Sequence, residues 1–419
     1  MQEDGTAAAS QDAATPRVLA PWASLSFPSF RLLWIGSPFA TTASQMRQMV
    51  NLWMVYQITG SAAQLGLTGL FQGASALVMG PLGGTVVDRV DRRRLIIVAQ
   101  SLQLVLNLSL FFIARSGHLQ VWHLYLFTAA HSGISPFDGT ARAAITPSLV
   151  PKSHLINAIT LVGAAGQGAF FMGPLLGGIV LATTNEVIAY FLCAVLVLPS
   201  LATILMLRLP PAKAQRRADF APRELFDGLR FMWQTQVLFG LVLLDAVAMV
   251  FGFYPALLPI FAQDILRVGP AGLGYLASAP AIGSALGYLT LAAFSNVKRK
   301  GLIMLLISLL YSLFLIGFAL SPWFALCLVT VACMGFLDAV SVSIRRTSFL
   351  MLSPEEMRGR SMSVPSMFAF SSNSLGAVYA GFAASVVGAR WALVIGGMIT
   401  TAFVTGVMLK WRKVREFQA

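Results

Sequence analysis

The sequence predicts an all-α membrane protein, with twelve transmembrane helices arranged as two pseudo-symmetric six-helix bundles. Three observations predict it. Of the 419 residues, 57% are hydrophobic and only 11% are charged, against about 25% charged in soluble domains, too few to cover a water-facing surface. Apolar runs near the ~20 residues that cross a ~30 Å hydrocarbon core recur along the chain. Finally, one fixed offset brings Pro151 onto Pro354, Arg142 onto Arg345, Gly173 onto Gly376 and Gly178 onto Gly381, so the second half repeats the first. Internal repeats of this kind place a substrate site near the bilayer midplane in many secondary transporters.

The elements follow in order. Residues 1–29 begin Ala/Ser/Thr/Gln-rich and acidic, lack a basic segment followed by an apolar core, and read as a disordered tail rather than a signal peptide. Apolar runs at 30–57, 63–87, 95–114, 121–148, 156–182 and 187–207 give the first bundle (30–207). Runs at 237–262, 271–294, 301–320, 323–350, 361–387 and 391–410 give the second (237–410). Between them, 208–236 is a linker in which Leu225, Phe226, Leu229, Met232 and Trp233 recur at helical spacing. That pattern predicts an amphipathic helix on the membrane surface. Residues 411–419 form a short tail.

The formal charge of +13 does not point to nucleic acid, because the basic residues sit in short loops between spans. With the loop from Asp88 to Arg94 on the cytoplasmic side, all Lys and Arg except Arg47, Arg115, Arg267 and Arg390 fall on or near that side. This is the positive-inside bias, and it puts both termini in the cytoplasm. Cys193, Cys327 and Cys333 lie in apolar runs, and no metal-ligand or disulfide spacing is present. No cofactor is expected. The absence of a Gly-x-x-x-x-Gly-Lys-Ser/Thr loop excludes a pump driven by ATP through that fold. The four histidines show no spacing suited to a membrane-embedded enzyme.

Chemistry concentrates in a few charges within the spans. Asp138, Asp245 and Asp338 are the acids there, and Arg47 is the basic residue deep in the first span. Each such group costs about 2.5–3.5 kcal/mol on insertion scales, which makes it a functional candidate. At ~100° per residue, His131, Ser135, Asp138 and Arg142 share one helix face, and Asp338 shares a face with Arg345. Asp138 and Asp338 are the best candidates to carry a proton. Arg47, Arg142 and Arg345 either offset those charges or hold an anionic substrate. The plainer reading of Asp138 and Arg142 is an i,i+4 ion pair that only steadies a helix.

Glycines four apart, Gly69/Gly73, Gly173/Gly177 and Gly283/Gly287, suit close helix approach. Trp53, Tyr56 and Trp122 read as interfacial anchors, and Phe251, Phe253 and Tyr254 as candidates to line a pocket.

The segment Gly84-x-x-x-Asp88-Arg89-x-x-Arg92-Arg93 resembles the signature loop of the major facilitator superfamily. Within that superfamily the chain resembles the enterobactin-exporter-like group of efflux carriers. The residues carrying this are Thr59-Gly60-Ser61, the Asp88–Arg94 loop, Gly173-Pro174 with Gly177-Gly178, Gly228–Met232, and Tyr254-Pro255. Asp91 stands where the superfamily loop usually has Gly, which predicts a stiffer loop. The resemblance implies a monomeric secondary transporter working by alternating access: proton-coupled efflux of a small organic molecule, a siderophore or similar metabolite. The alternatives are a multidrug-type carrier and an uncoupled facilitator or sensor. It further implies that the spans bearing Arg47, Asp138, Asp245 and Asp338 surround a central cavity. In the same way the loop would latch the cytoplasmic side, Arg89, Arg92 and Arg93 pairing with carboxylates of the other half, and the Gly173–Gly178 motif would favour export.

Overall fold

The computed structural model describes residues 20–87, 89–207, 230–293, 299–353 and 358–411. Among them are twelve long helices: α1 Pro28–Thr59, α2 Ala62–Val87, α3 Arg92–Arg115, α4 Val121–Ile145, α5 Leu155–Thr183 and α6 Glu186–Met206, then α7 Gln236–Phe251, α8 Gly269–Ala293, α9 Lys300–Leu320, α10 Phe324–Leu352, α11 Arg358–Val387 and α12 Ala389–Lys410. They form the two six-helix bundles of the predicted fold. Asp88, most of the linker (208–229) and both termini lie outside the described residues, as does the basic cluster before α9 up to Lys298. Of the predicted amphipathic segment, 230–234 is helical.

Nine spans among the described residues are long and apolar enough to cross a membrane. The exceptions, α1, α4 and α11, are among the most polar. Their Ser, Thr, Gln, Asn and charged residues need a wet or protein-lined environment, and all three helices border the cavity described below.

Three helix ends have a local cause. Gly60 closes α1 at φ +61°, a left-handed conformation that glycine adopts without a Cβ penalty. Asp91 caps α3, its carboxylate accepting from the backbone N–H of Arg94 at 2.9 Å. The loop aspartate that departs from the superfamily pattern is thus a helix start. Asn185 caps α6 in the same way, accepting from Ile188 at 3.0 Å.

The seventh span departs from the sequence expectation of one continuous run over 237–262. The α-helix stops at Phe251, breaks at Gly252–Tyr254, and resumes as a 3₁₀ turn (Pro255–Leu257), a short helical turn (Leu258–Ile260) and a π-turn (Phe261–Ile265). Gly252 and Pro255 are the physical reason, since Gly weakens a helix interior and Pro removes a donor.

Packing follows the internal repeat. The Gly173 site meets α1, where an added Cβ would sit 2.5 Å from Gln45 Cβ and 2.9 Å from the Thr42 carbonyl. Its repeat partner Gly376 meets α7 at Met249 and the break after it at Phe253. Gly178 meets α8, with Gly274 Cα and the Pro270 carbonyl each 2.7 Å from an added Cβ. Its partner Gly381 meets α2, with Gly66 Cα at 2.5 Å and the Ala62 carbonyl at 2.7 Å. The four-residue motif in α5 therefore serves two seams: Gly173 and Gly177 inside the first bundle against α1, and Gly178 between the bundles. Small residues are what let backbones approach this closely.

Two expectations about aromatic residues are corrected. Trp53 is 6% exposed and belongs to the main core cluster rather than to an interface. Phe251 packs edge-on against Tyr379, and Tyr254 packs at a tilt against Phe318, so these rings fill helix contacts beside the break in α7.

Candidate functional site

A cavity of about 860 Å³ lies among α1, α2, α3, α4 and α5, with Phe370 and Ser371 of α11 on its far wall. That volume is in the range of small-molecule sites. Its lining begins about two turns inside the end opposite the α2–α3 loop, at Leu52, Thr68 and Thr128, and on α2 and α4 runs on to Gly80 and Arg142 near the end that carries that loop, here termed the basic face. On α1 it spans Ala40–Leu52, and on α4 Thr128–Arg142.

Three polar layers are stacked along the α1–α4 seam. Uppermost, Asn51 donates to Thr128 Oγ1 at 3.1 Å while Tyr190 of α6 donates to Asn51 Oδ1 at 3.0 Å. One turn closer to the basic face on each helix stand Arg47 and His131, within electrostatic range of each other and 7% and 5% exposed. Two turns further, Arg142 Nε donates to Asp138 Oδ2 at 2.9 Å. Arg142 also donates to Ser200 of α6 at 3.0 Å, and Gln100 of α3 donates to Ser200 at 2.9 Å and to Asp138 at 3.4 Å. The helical pair is therefore one part of a network tying three helices, not an isolated i,i+4 bridge. Arg47 Nε, His131 Nε2 and Arg142 Nη1 are buried with no hydrogen-bond partner among the described residues.

The structure brings Arg47, His131, Asp138 and Arg142 together on this wall. It places the others elsewhere. Asp245 of α7 and Arg345 of α10 are buried as an ion pair with each other, and neither lines the cavity. The expectation that their charges face it is corrected, because each satisfies the other across the α7–α10 contact. Asp338 likewise is not among the lining residues; it lies within electrostatic range of the Tyr254 and Tyr311 hydroxyls.

The bundles meet at the end opposite the basic face. There α5 lies on α8 through Gly178 and Gly274, with Ser278 donating to the Phe171 carbonyl at 2.8 Å. Helix α2 lies on α11 through Gly66, Gly69 and Gly73 against Gly381, Ala377 and Ser374. At the rim Tyr56 donates to Asp264, and Gln57 donates to Gln263 at 2.6 Å. The π-turn presents both acceptors to the end of α1. Exposed hydrogen bonds of this kind are worth about 1 kcal/mol. A Tyr56→Phe, Gln57→Ala double variant is expected to raise labelling of a cysteine introduced at Ala62 by an impermeant maleimide about fivefold or more. Unchanged labelling would remove these bonds as a restraint on that end.

On the basic face, Arg92 donates to the Ala144 carbonyl at the end of α4 at 3.0 Å. Arg93 donates to the carbonyls of Ile204 and Leu205 at the end of α6, at 3.1 and 2.5 Å. Basic groups at helix C-termini are favourable. Both of these contacts stay inside the first bundle, whereas the sequence pointed to carboxylates of the other half. Arg89 is exposed. Gly84 ends within α2, and Asp88 is outside the described residues.

Sequence reasoning weighed charges and passed over uncharged polar residues. Gln100, Ser200, Asn51, Thr128 and Tyr190 all carry the network, and Gln100 and Ser200 are fully buried. The available signal was a Gln and a Ser in the middle of the third and sixth apolar runs.

Two six-helix bundles around a polar cavity, with paired small-residue seams between them, define a transporter of the major facilitator superfamily rather than an enzyme. The family described as transmembrane secretion effector, MFS_3, matches residues 19–419, and the chain belongs to it. It is 28% identical over 334 residues to the enterobactin exporter EntS of Shigella boydii serotype 18, covering 80% of each chain. The same identity and coverage hold for EntS of Escherichia coli O139:H28. A solved bacterial homolog of the human lysosomal transporter Spinster, inward-facing and unoccupied, superposes with TM-score 0.73 at 16% identity over 94% of this chain and 98% of that one. A mutant of the nucleoside transporter NupG superposes with TM-score 0.76 at 13% identity over 91% and 99%. The last two likenesses bear on fold alone.

Proposed function

We propose that this transporter exports a small organic molecule, a siderophore or similar secreted metabolite, in exchange for protons. The carrying observation is Asp138: a carboxylate on the cavity wall, partly shielded and shared between Arg142 and Gln100. A proton on Asp138 would cancel its hold on Arg142 and free that guanidinium, changing the charge that faces a bound molecule. A group whose partner changes with protonation can bias two conformations differently.

The positive-inside bias makes the basic face cytoplasmic and places both termini there. The cavity then loads from the cytoplasm, as export requires, and the glycine seams close the outer side. In this reading the working bundles are residues 30–207 and 237–410, joined by the 208–236 linker, in a monomer of the inner membrane. The Asp88 loop, with Arg89, Arg92 and Arg93, would serve as the latch of the cytoplasmic side. The choice of a siderophore-like cargo rests on the similarity to enterobactin exporters. Phe170 and Phe370 on the cavity wall favour a second cargo class, amphipathic aromatic drugs.

Inverted vesicles with and without a proton gradient test the proposal, with enterobactin as the probe. Gradient-driven uptake is expected in the wild type and is expected to fall at least about tenfold in Asp138→Asn with binding retained, the range typical of a lost proton-transfer group. Wild-type uptake that ignores the gradient would refute coupling. Full activity in Asp138→Asn would move the proton to Asp338, where Asp338→Asn repeats the test.

A further inference from the structure

Arg47 is unlike the other two cations held deep in the spans. Arg142 is balanced by Asp138 at 2.9 Å and Arg345 by Asp245. Among the described residues no carboxylate pairs with Arg47 and no acceptor meets its Nε, although the residue is only 7% exposed. The titratable neighbours that feel its charge are Tyr190, Cys193 and His131. None is an anion near neutral pH at its ordinary pKa, and Tyr190 already gives its hydroxyl proton to Asn51. A buried charge without a partner is poorly tolerated in a membrane interior. Its counter-ion must therefore come from outside the chain or the site must stay wet.

The surroundings decide between these. His131 faces Arg47 from α4 with Nε2 also unpartnered and 5% of the residue exposed. The Asn51–Thr128–Tyr190 layer closes the seam directly above the two. Both side chains line the same cavity, whose wall also carries the half-exposed rings of Phe170 and Phe370. A fixed guanidinium beside an imidazole, at the closed end of a partly aromatic chamber, is an arrangement suited to an anionic oxygen on an apolar body. The geometry points to an anion subsite formed by Arg47 and His131, which selects cargo that is a small aromatic or apolar organic anion. This deepens the export reading and rests on it. Arg142, held by Asp138, stands about three turns away as a second donor that protonation of Asp138 would release toward the same molecule.

The test uses purified full-length protein in detergent and three matched pairs: benzoate with benzamide, salicylate with salicylamide, and cinnamate with cinnamamide. Each pair keeps shape and removes the charge. Calorimetric titration is expected to give dissociation constants at least about tenfold lower for the carboxylates than for the amides, the scale of one charge-assisted hydrogen bond. Arg47→Gln is expected to erase that difference, and His131→Gln to reduce it. If Arg47→Gln does not fold, Arg47→Lys carries the test: it keeps the charge without the planar fork, so a smaller carboxylate preference supports the subsite and an unchanged one overturns it. Equal binding of acids and amides, no binding of either series, or a preference that survives Arg47→Gln would each overturn it as well. The export reading is separated by Nile red, a neutral amphipath, in vesicles. Gradient-driven Nile red movement with no carboxylate preference removes the anion subsite and leaves export standing. Carboxylate binding in detergent with no gradient-driven movement of Nile red or enterobactin removes coupled export and leaves the subsite.

Discussion

Gly178→Leu is expected to abolish transport while the protein still inserts and folds. A Cβ at this position would lie 2.7 Å from both Gly274 Cα and the Pro270 carbonyl, and both obstacles are backbone, so no side-chain rotation relieves the overlap. Overpacking of this kind costs about 1–3 kcal/mol for small increments, and leucine adds three further carbons. The strain exists only while α5 and α8 are apposed at the end opposite the basic face. It therefore falls on one conformation and shifts the population toward the other, roughly tenfold for each 1.4 kcal/mol. Gly381→Leu should behave alike, since its Cβ would meet Gly66 at 2.5 Å across the pseudo-symmetric seam. The control is Gly166→Leu on the same helix, where nothing lies within 4 Å; it should transport normally. Efflux together with maleimide labelling at Ala62 reads the outcome, and wild-type efflux in Gly178→Leu would show that the seam need not close during the cycle.

Arg345→Met is expected to give the largest loss of stability of any single substitution considered. It strands Asp245, 9% exposed, without its cation. Removing one partner of a buried pair typically costs about 3–5 kcal/mol, whereas replacing both can be neutral. Adding Asp245→Asn to Arg345→Met should therefore restore most of the stability. At roughly 2–4 °C per kcal/mol the single variant should melt ~10 °C lower in detergent. A double variant no more stable than the single one would mean that Arg345 holds α10 by something other than Asp245.

The twelve long helices and their twofold repeat were legible because most of the helices write a long apolar run and each repeat writes glycines at a fixed offset. Arg47, His131, Asp138 and Arg142, which line one cavity wall, were legible as candidates because ionisable groups stand out against hydrocarbon. The face shared by the last three followed from helical spacing alone. Pairing across the fold was not legible. Nothing in the spacing of Asp245 or Arg345 says that they meet, and helical periodicity assigned Arg345 to Asp338 instead. The contact of Tyr56 and Gln57 with Asp264 and Gln263 depends on a break at Gly252–Tyr254 followed by a π-turn. Hydropathy averages over such a break and sees one span. Asp91 read as a departure from a loop pattern because the loop, and not the helix start after it, was the unit compared. Trp53 looked like an anchor by its distance from the helix end, but the faces of α1 are set by α5 and α6 packing on it, which only the fold reveals.

The polarity of α1 has a consequence for how the chain is made. It precedes the other eleven long helices in synthesis, yet it carries Gln45, Arg47, Gln48 and Asn51 in its centre and is not among the helices apolar enough to enter lipid on composition alone. The helices that shelter it, α5 and α6, begin about a hundred residues after it ends, on the order of ten seconds of synthesis at 5–20 residues per second. During that interval α1 lacks the neighbours it packs against in the fold, and delayed release from the insertion machinery is the expected outcome. The N-terminal bundle is then a single unit of biogenesis: a chain interrupted before Met206 leaves α1 and α4 without the neighbours that make the bilayer habitable for them, and becomes a substrate for quality control rather than half a transporter.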